Sequence, residues 1–419
     1  MGGCAPALPP VTIPRPARRP RASMGCLSLV EISRMVRVYE FLLAIVIVIV
    51  VFVVFAVTLP DHRVYDDSIE TNRPPRIVFD ALNGFKRFSD WNALYLHDPR
   101  LRAELVGPEF GLGARFEYRS MFDEIGAGAW ELVDSDDSGK VRKLRFALDN
   151  DARGSSKSMR FEIERKGKTT EIRQRYRVDY GWDLLGRFAG MYLARTVGDD
   201  MDSGLKAMAA MFATIPNMDY SGIVIESVQV PAQDILYVPT SSERNINAVE
   251  AAMINQLKWL RQVIAKNGLE PAGPYRLITT NFGSDTYDFD VAYPVRRKGA
   301  VPVPAPSADV AEAVAGDESA ADAVELPGAE DLAVVAEPLD PASITLEGEV
   351  QFGRSYEGRA LKTVYGGHPA GLPVARDQLR AYALTHGEVL QDRAFEEYLN
   401  DIEGTSVEDT TFNVYWPVK

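Results

Sequence analysis

Cysteine and histidine are scarce in this chain, and their scarcity excludes several chemistries. There are two cysteines, Cys4 and Cys26, and four histidines, His62, His97, His368 and His386. Both cysteines precede a long apolar run, so the chain beyond it can form no disulfide and offers no thiolate. No two histidines stand at metal-ligand spacing. Asp149-Asn150-Asp151 opens like a calcium loop, but Arg153 and Arg160 occupy positions that need oxygen ligands. Nucleophile elbow, P-loop and dinucleotide fingerprints are missing as well. No catalytic residue, metal or cofactor is therefore assigned. Basic excess is also lacking: the net charge of -13 argues against a nucleic-acid partner.

What is present begins with residues 41–59, FLLAIVIVIVVFVVFAVTL, which carry no charge. About 20 apolar residues span a bilayer core as a helix. A buried helix of this length would show a polar face, and this one shows none. The expected transmembrane helix is 38–59, behind a Pro/Arg-rich disordered cytoplasmic tail, 1–37. Met24 and Met35 offer alternative starts inside that tail. The flank before the helix holds Arg15, Arg18, Arg19, Arg21, Arg34 and Arg37, whereas Asp61, Asp66 and Asp67 follow it. The positive-inside rule then places the N-terminus in the cytoplasm and the body outside it. A single-pass protein of the inner (cytoplasmic) membrane with periplasmic domains is expected; the rival reading is a cleaved signal peptide, whose apolar region is shorter.

The fold class expected after the anchor is α+β, in two domains. From 62 to 220, Pro74-Pro75 opens a helical stretch, and strand-like runs alternate apolar and polar residues (Phe116/Tyr118, Phe161/Ile163, Ile172/Tyr176/Val178). A long helix, roughly Trp182–Ile215, carries the stripe Leu184, Phe188, Met191, Met201, Leu205, Met208 and Phe212, with Gly198 as a possible bend. The successive segments PPRIVFDALNGFKRFSDWNAL, DPRLRAELVGPEFGLGARFEY and DDMDSGLKAMAAM resemble the polyketide cyclase/dehydrase branch of the START-like (SRPBCC) superfamily. That resemblance implies a helix-grip fold around an apolar cavity, used in many members for binding alone.

The remainder, 222–419, contains an internal repeat. Phe289–Val295 reads FDVAYPV and Phe412–Val418 reads FNVYWPV, each ending a strand, helix, strand, strand succession. Two duplicated β-α-β-β units are expected, interrupted by a disordered acidic insertion at 298–341. Within it, residues 301–340 hold ten Asp and Glu and no Lys or Arg. VPAQDILYV, Leu257-Lys258-Trp259-Leu260, Gly273-Pro274 and the two repeat strands resemble the GyrI-like family, the effector-binding domain of AraC-type regulators. That family binds hydrophobic, often cationic, small molecules between its halves. Its last strand usually carries a glutamate for the cation, and the aligned residue here is Asn413. Glu357, Glu397 and Glu408 are the possible substitutes, each read as a solvated acid. No helix-turn-helix or basic face accompanies the domain, so control of DNA is not expected.

Apolar pockets need aromatic walls with a few placed polar groups, as ordinary cores also do. Candidate cavity residues in the first domain are Trp91, Phe116, Tyr118, Trp130, Tyr176 and Phe212, with Phe161 beside them. In the second they are Tyr237, Trp259, Tyr275, Tyr356, Asn413, Tyr415 and Trp416. The function expected is a membrane-anchored binder of hydrophobic or amphipathic small molecules or lipids. The alternative is a cyclase/dehydrase-like or hydrolase enzyme using the START-like cavity, for which an isolated buried acid, base or donor would be needed.

Overall fold

The computed structural model describes residues 26–299, 303–304, 334–335, 338–400, 404 and 406–419. Most of the expected tail and of the expected insertion lies outside the described residues. Helix α1, Cys26–Thr58, contains a 23-residue stretch, Val36–Thr58, long and apolar enough to cross a membrane. The side chains of Val36–Thr58 are almost all uncovered by the rest of the protein, as a span surrounded by lipid requires.

The fold is α+β, with two large antiparallel sheets following the apolar helix. In the first domain, strands β1 His62–Thr71, β2 Arg102–Val106, β3 Arg115–Arg119, β4 Ala127–Asp136, β5 Val141–Asn150, β6 Ser155–Lys166 and β7 Thr169–Asp179 form one sheet. Its order is β1-β7-β6-β5-β4-β3-β2. In β6 and β7, Met159, Phe161, Ile163, Ile172, Tyr176 and Val178 are buried while their neighbours are more exposed, so the period-2 pattern selects the core face. Helices α2 Pro75–Leu82, α3 Ala93–His97, α4 Leu184–Ala189 and α5 Asp199–Thr214 accompany this sheet. Pro75 opens α2 at a position where a missing N–H costs nothing.

The expected helix over 182–215 runs from Leu184 to Thr214 but is irregular in its first half. Short 3-10 and π turns, Gly190–Tyr192 and Ala194–Gly198, separate α4 from α5. Two glycines in these turns permit close approach of the rest of the domain. A Cβ on Gly190 would lie 2.7 Å from Tyr180, and one on Gly198 would lie 2.8 Å from Tyr65. Only the second half of the stripe, Met201, Leu205, Met208 and Phe212, enters the core. Phe188 instead meets α1.

In the second domain, β8 Glu226–Val230, β9 Asp234–Glu243, α6 Ile246–Lys266, β10 Leu269–Pro271, β11 Arg276–Phe282 and β12 Thr286–Arg297 come first. The two-residue strands β13 Val303–Pro304 and β14 Val334–Val335 pair with each other. Then follow β15 Gln351–Arg354, β16 Gly358–Gly366, α7 Leu372–Thr385, β17 Phe395–Tyr398 and β18 Thr411–Pro417. The sheet order β15-β9-β12-β11-β17-β18-β16-β8 reads the same way from its centre in both directions. Each repeat contributes β9-β12-β11 or β16-β18-β17, and the halves join where β11 pairs antiparallel with β17. Ile278 lies opposite Asp290, and Glu397 opposite Asn413, so the repeat register makes Leu277 and Glu396 equivalent. These two residues face each other across the junction.

The two domains share a packed seam. Tyr220 sits against Tyr382, with ring centroids 5.4 Å apart, and Tyr382 stacks on His386 at 3.9 Å. Lys86 reaches Glu388, and Arg87 donates to the Leu384 carbonyl. Burial holds the His386 imidazole below its usual pKa, against a raising hydrogen bond to the Tyr382 carbonyl and the field of Asp80. The unfolded chain therefore takes up a proton that the folded chain resists. Stability should be full above about pH 6.5 and fall as pH drops below it. A His386→Gln variant, compared by urea midpoint between pH 7.5 and 5.5 in detergent, should lose that part of the slope.

Candidate functional site

The walls of the main cavity come from the ends of α6 and α7 and the sheet beneath them. It encloses about 240 Å³, lined by Met253 and Val249 of α6, Leu277 and Phe282 of β11, Tyr287 of β12, Arg376 of α7 and Tyr398 of β17. The pleat explains the selection. On β11 and β17, Leu277, Glu396 and Tyr398 point toward the helices, and Arg276, Phe395 and Glu397 point the other way.

Charge at the cavity floor is internally balanced. Glu396 is fully buried, and Arg376 is 8% exposed. The Arg376 guanidinium grips the carboxylate with two bonds: Nε donates to Oε1, and Nη2 donates to Oε2 at 2.9 Å. Nη2 also donates to the Tyr287 hydroxyl at 2.9 Å. Burial opposes the arginine's charge, but Glu396 and Tyr287 more than offset this and hold its pKa above the ordinary value. Burial likewise pushes the Tyr287 hydroxyl up to about 12. Arg244 lies at the mouth, stacked 4.1 Å from the Phe282 ring centroid. Asn245 caps α6 there by accepting from the Asn247 amide at 2.9 Å.

A second cavity of about 160 Å³ lies on the opposite face of the sheet. Tyr237 and Tyr356 line it, with Arg276, Asp290, Arg354 and Arg393. Beneath it Glu397 is 2% exposed, so its expected place in solvent is corrected. Arg276 donates to Oε1 through Nε at 3.1 Å and Nη2 at 2.9 Å. Asn413 at 3.1 Å and Tyr415 at 2.9 Å donate to Oε2. Burial, then the nearby Glu397 carboxylate, drives the Tyr415 hydroxyl far above the tyrosine range.

None of the seven sequence-derived residues of this domain lines the main cavity. Tyr237, Tyr356, Asn413 and Tyr415 belong to the other face. Tyr275 is buried on the helix side, its ring 4.8 Å from Tyr398, and Trp416 sits at the margin of that core. Trp259 is 45% exposed on the outside of α6. The reason is geometric: adjacent side chains of a strand cannot share a face, so the YWP run had to divide. Sequence reasoning missed Arg376, Glu396, Tyr287 and Leu277. The one available signal was Phe395-Glu396-Glu397-Tyr398, two acids inside a strand of core character.

In the first domain the expected residues do converge. Trp91, Phe116, Tyr118, Trp130, Tyr176 and Phe212 are all buried in one core with Phe161. They pack largely on one another: Phe88 lies 4.6 Å from Phe116 and 5.2 Å from both Trp91 and Trp130, and Trp91 lies 5.7 Å from Phe161. Buried polar groups around this core are mostly partnered. Asp80 accepts from Arg76 at 2.7 Å and from the Tyr220 hydroxyl at 2.9 Å. Asp98 accepts from Ser120 at 2.6 Å. Gln174 is one exception, its Oε1 buried without a partner and its Nε2 3.2 Å from the Met159 sulfur. Among the described residues, no group of His, Cys, Asp and Glu is arranged to hold a metal.

The first domain has the antiparallel sheet and closing helix that a START-like fold would show. Residues 62–213 match the family model described as polyketide cyclase/dehydrase and lipid transport. Similar solved structures include the C-terminal domain of EcmrR, at 11% identity over 47% of this chain and 98% of that one, with a TM-score of 0.31. Norcoclaurine synthase from Thalictrum flavum, in complex with dopamine and hydroxybenzaldehyde, matches at 12% identity over 37% of this chain and 90% of that one, with a TM-score of 0.28. A hydrolase from Listeria innocua matches at 11% identity over 51% of this chain and 98% of that one, with a TM-score of 0.29. No curated protein matches in sequence.

Proposed function

We propose that this protein is a membrane-anchored binder of hydrophobic or amphipathic small molecules or lipids, acting outside the cytoplasm without catalysis. The observation that carries the reading is the α6/α7 cavity, whose walls are mainly apolar, with Glu250 on the α6 side and Arg376, already paired with the buried Glu396, at its floor. Such a site favours apolar and aromatic bulk, with Tyr287 and Arg244 available to orient a polar end. The duplicated β-α-β-β order supports a GyrI-like second domain, taken here as residues 222–419. The pairing of Glu396 with Arg376 supports a ligand without the positive charge that GyrI-like domains often select. For the first domain, taken as 62–220, the family match to lipid transport supports a second seat for apolar ligands. Retention of α1 is supported by Arg187, whose Nη1 donates to the Val57 and Leu59 carbonyls at 3.2 Å each. Cleavage there would strip Nη1 of a buried guanidinium of its acceptors.

The test is a thermal-shift panel of neutral, anionic and cationic amphiphiles on the full chain in detergent. A ligand at about 100 times its Kd should add ~2.7 kcal/mol of stability. Val249→Trp, placed on the cavity wall, should abolish the shift while leaving the unliganded midpoint close to wild type. A panel that raises no midpoint, or a shift untouched by Val249→Trp, would remove the support from this cavity.

A further inference from the structure

The α4 end of the long helix carries apolar side chains outside the core, and they gather beside α1. Trp182 is 82% exposed, Leu185 55% and Tyr192 51%. Between them Phe188 packs on α1, with its ring centroid 5.7 Å from that of Phe52 and 6.5 Å from that of Phe55. Phe52 lies six residues before the end of the apolar span at Thr58. At ~1.5 Å of rise per residue this is roughly 9 Å below the point where the span ends. A side chain that touches Phe52 must reach a similar depth.

The attachment is stiff as well as deep. Only Leu59, Pro60 and Asp61 separate α1 from β1. Arg187, 9% exposed, ties the end of α1 to α4 through its two bonds to Val57 and Leu59, and its Nε donates to the Gly181 carbonyl at 2.7 Å. The guanidinium also lies 5.7 Å from the Trp182 ring centroid. The same end of the sheet carries another apolar tip. His62 pairs with Asp179, Ser155 also pairs with Asp179, Asn150 pairs with Gly128, and Ala127 pairs with Arg119. That register sets the 120–126 loop at the end where the chain leaves α1. In it, Met121 is 84% exposed and Phe122 57%.

We infer that this end of the first domain is seated in the headgroup layer of the membrane that holds α1, with Trp182, Leu185 and Tyr192 facing lipid and Met121 and Phe122 at the rim. The occupant of the apolar face is therefore the bilayer surface. Interfacial segments bury an apolar face ~5–10 Å into the headgroup boundary, the depth Phe188 reaches, and Trp and Tyr prefer that boundary. The inference rests on α1 spanning the membrane. It adds that the first domain is held flat against the lipid from which an apolar ligand would come.

The body beyond α1 has no cysteine, so labels can be placed singly. Full-length protein carrying Cys4→Ser and Cys26→Ser receives one cysteine, by Val46→Cys, Leu185→Cys, Tyr192→Cys, Met121→Cys or Ser284→Cys. Each variant is labelled with a nitrobenzoxadiazole dye and reconstituted into phosphatidylcholine–phosphatidylglycerol vesicles containing shallow or deep nitroxide lipids. The dye at 46 should be quenched best by deep nitroxides. Dyes at 185, 192 and 121 should shift to the blue and lose about half their emission or more to shallow nitroxides. The dye at 284 should be unaffected. Quenching at 46 with aqueous behaviour at 185, 192 and 121 overturns the docking and leaves the anchor intact. Absence of quenching at 46 overturns the anchor and the docking together.

Discussion

An Arg376→Ala variant is expected to lose about 3–5 kcal/mol of stability, the cost of leaving a buried carboxylate without its partner. Glu396 has no exposure to water, and Arg376 supplies both of its bonds. Arg376→Met combined with Glu396→Leu should recover most of the loss, since replacing a buried pair with packed apolar groups is often neutral. Urea unfolding of the single and double variants in detergent measures both. If the double variant is as unstable as the single one, the loss comes from packing and the pair is not its cause. The single variant also reports on ligand choice. With Arg376 gone, Glu396 becomes the free carboxylate of an apolar cavity. A lipophilic cation should then raise the thermal midpoint of Arg376→Ala more than that of the wild type.

A similar loss, about 3–5 kcal/mol, is expected for Phe88→Ala in the first domain. Phe88 is 2% exposed and touches Phe85, Trp91, Phe116 and Trp130, so removing its ring opens a void in the centre of the aromatic cluster. The surrounding rings are fixed by both sheet and helices and can collapse little. Differential scanning calorimetry checks the magnitude, and a benzene-sized ligand should restore part of it by filling the void. A loss under about 1 kcal/mol would mean that the cluster repacks freely.

The sequence made some of this readable and hid the rest for identifiable reasons. The apolar span was plain because nineteen uncharged residues have few alternatives. The faces of β6 and β7 followed from strict alternation, and the doubled β-α-β-β order followed from FDVAYPV and FNVYWPV. The bend expected at Gly198 falls in the π turn, whereas the close approach of Tyr65 and Tyr180 to Gly198 and Gly190 was hidden, because it depends on the assembled domain. The main cavity was hidden for a different reason. Its floor consists of an arginine from α7, an acid from β17 and a tyrosine from β12, and no local pattern links them. Glu397 looked solvated for the same reason, as its three donors come from β11 and β18. Pairwise satisfaction of buried charge is a property of the assembled sheet and cannot be read from one strand.

The junction of β11 with β17 gives the main cavity a direction. Duplication alone would produce two like halves, and a molecule lying across their axis could enter either way round. Here the equivalent positions hold Leu277 on one side and Glu396, neutralised by Arg376, on the other. At the junction itself one half offers the hydrocarbon of Leu277 and the other the hydrogen-bonded Glu396, while Tyr287 and Arg244 of the first repeat stand elsewhere on the wall. A ligand with unlike ends would therefore sit in a single orientation, and its mirror placement would strand a polar end against Leu277.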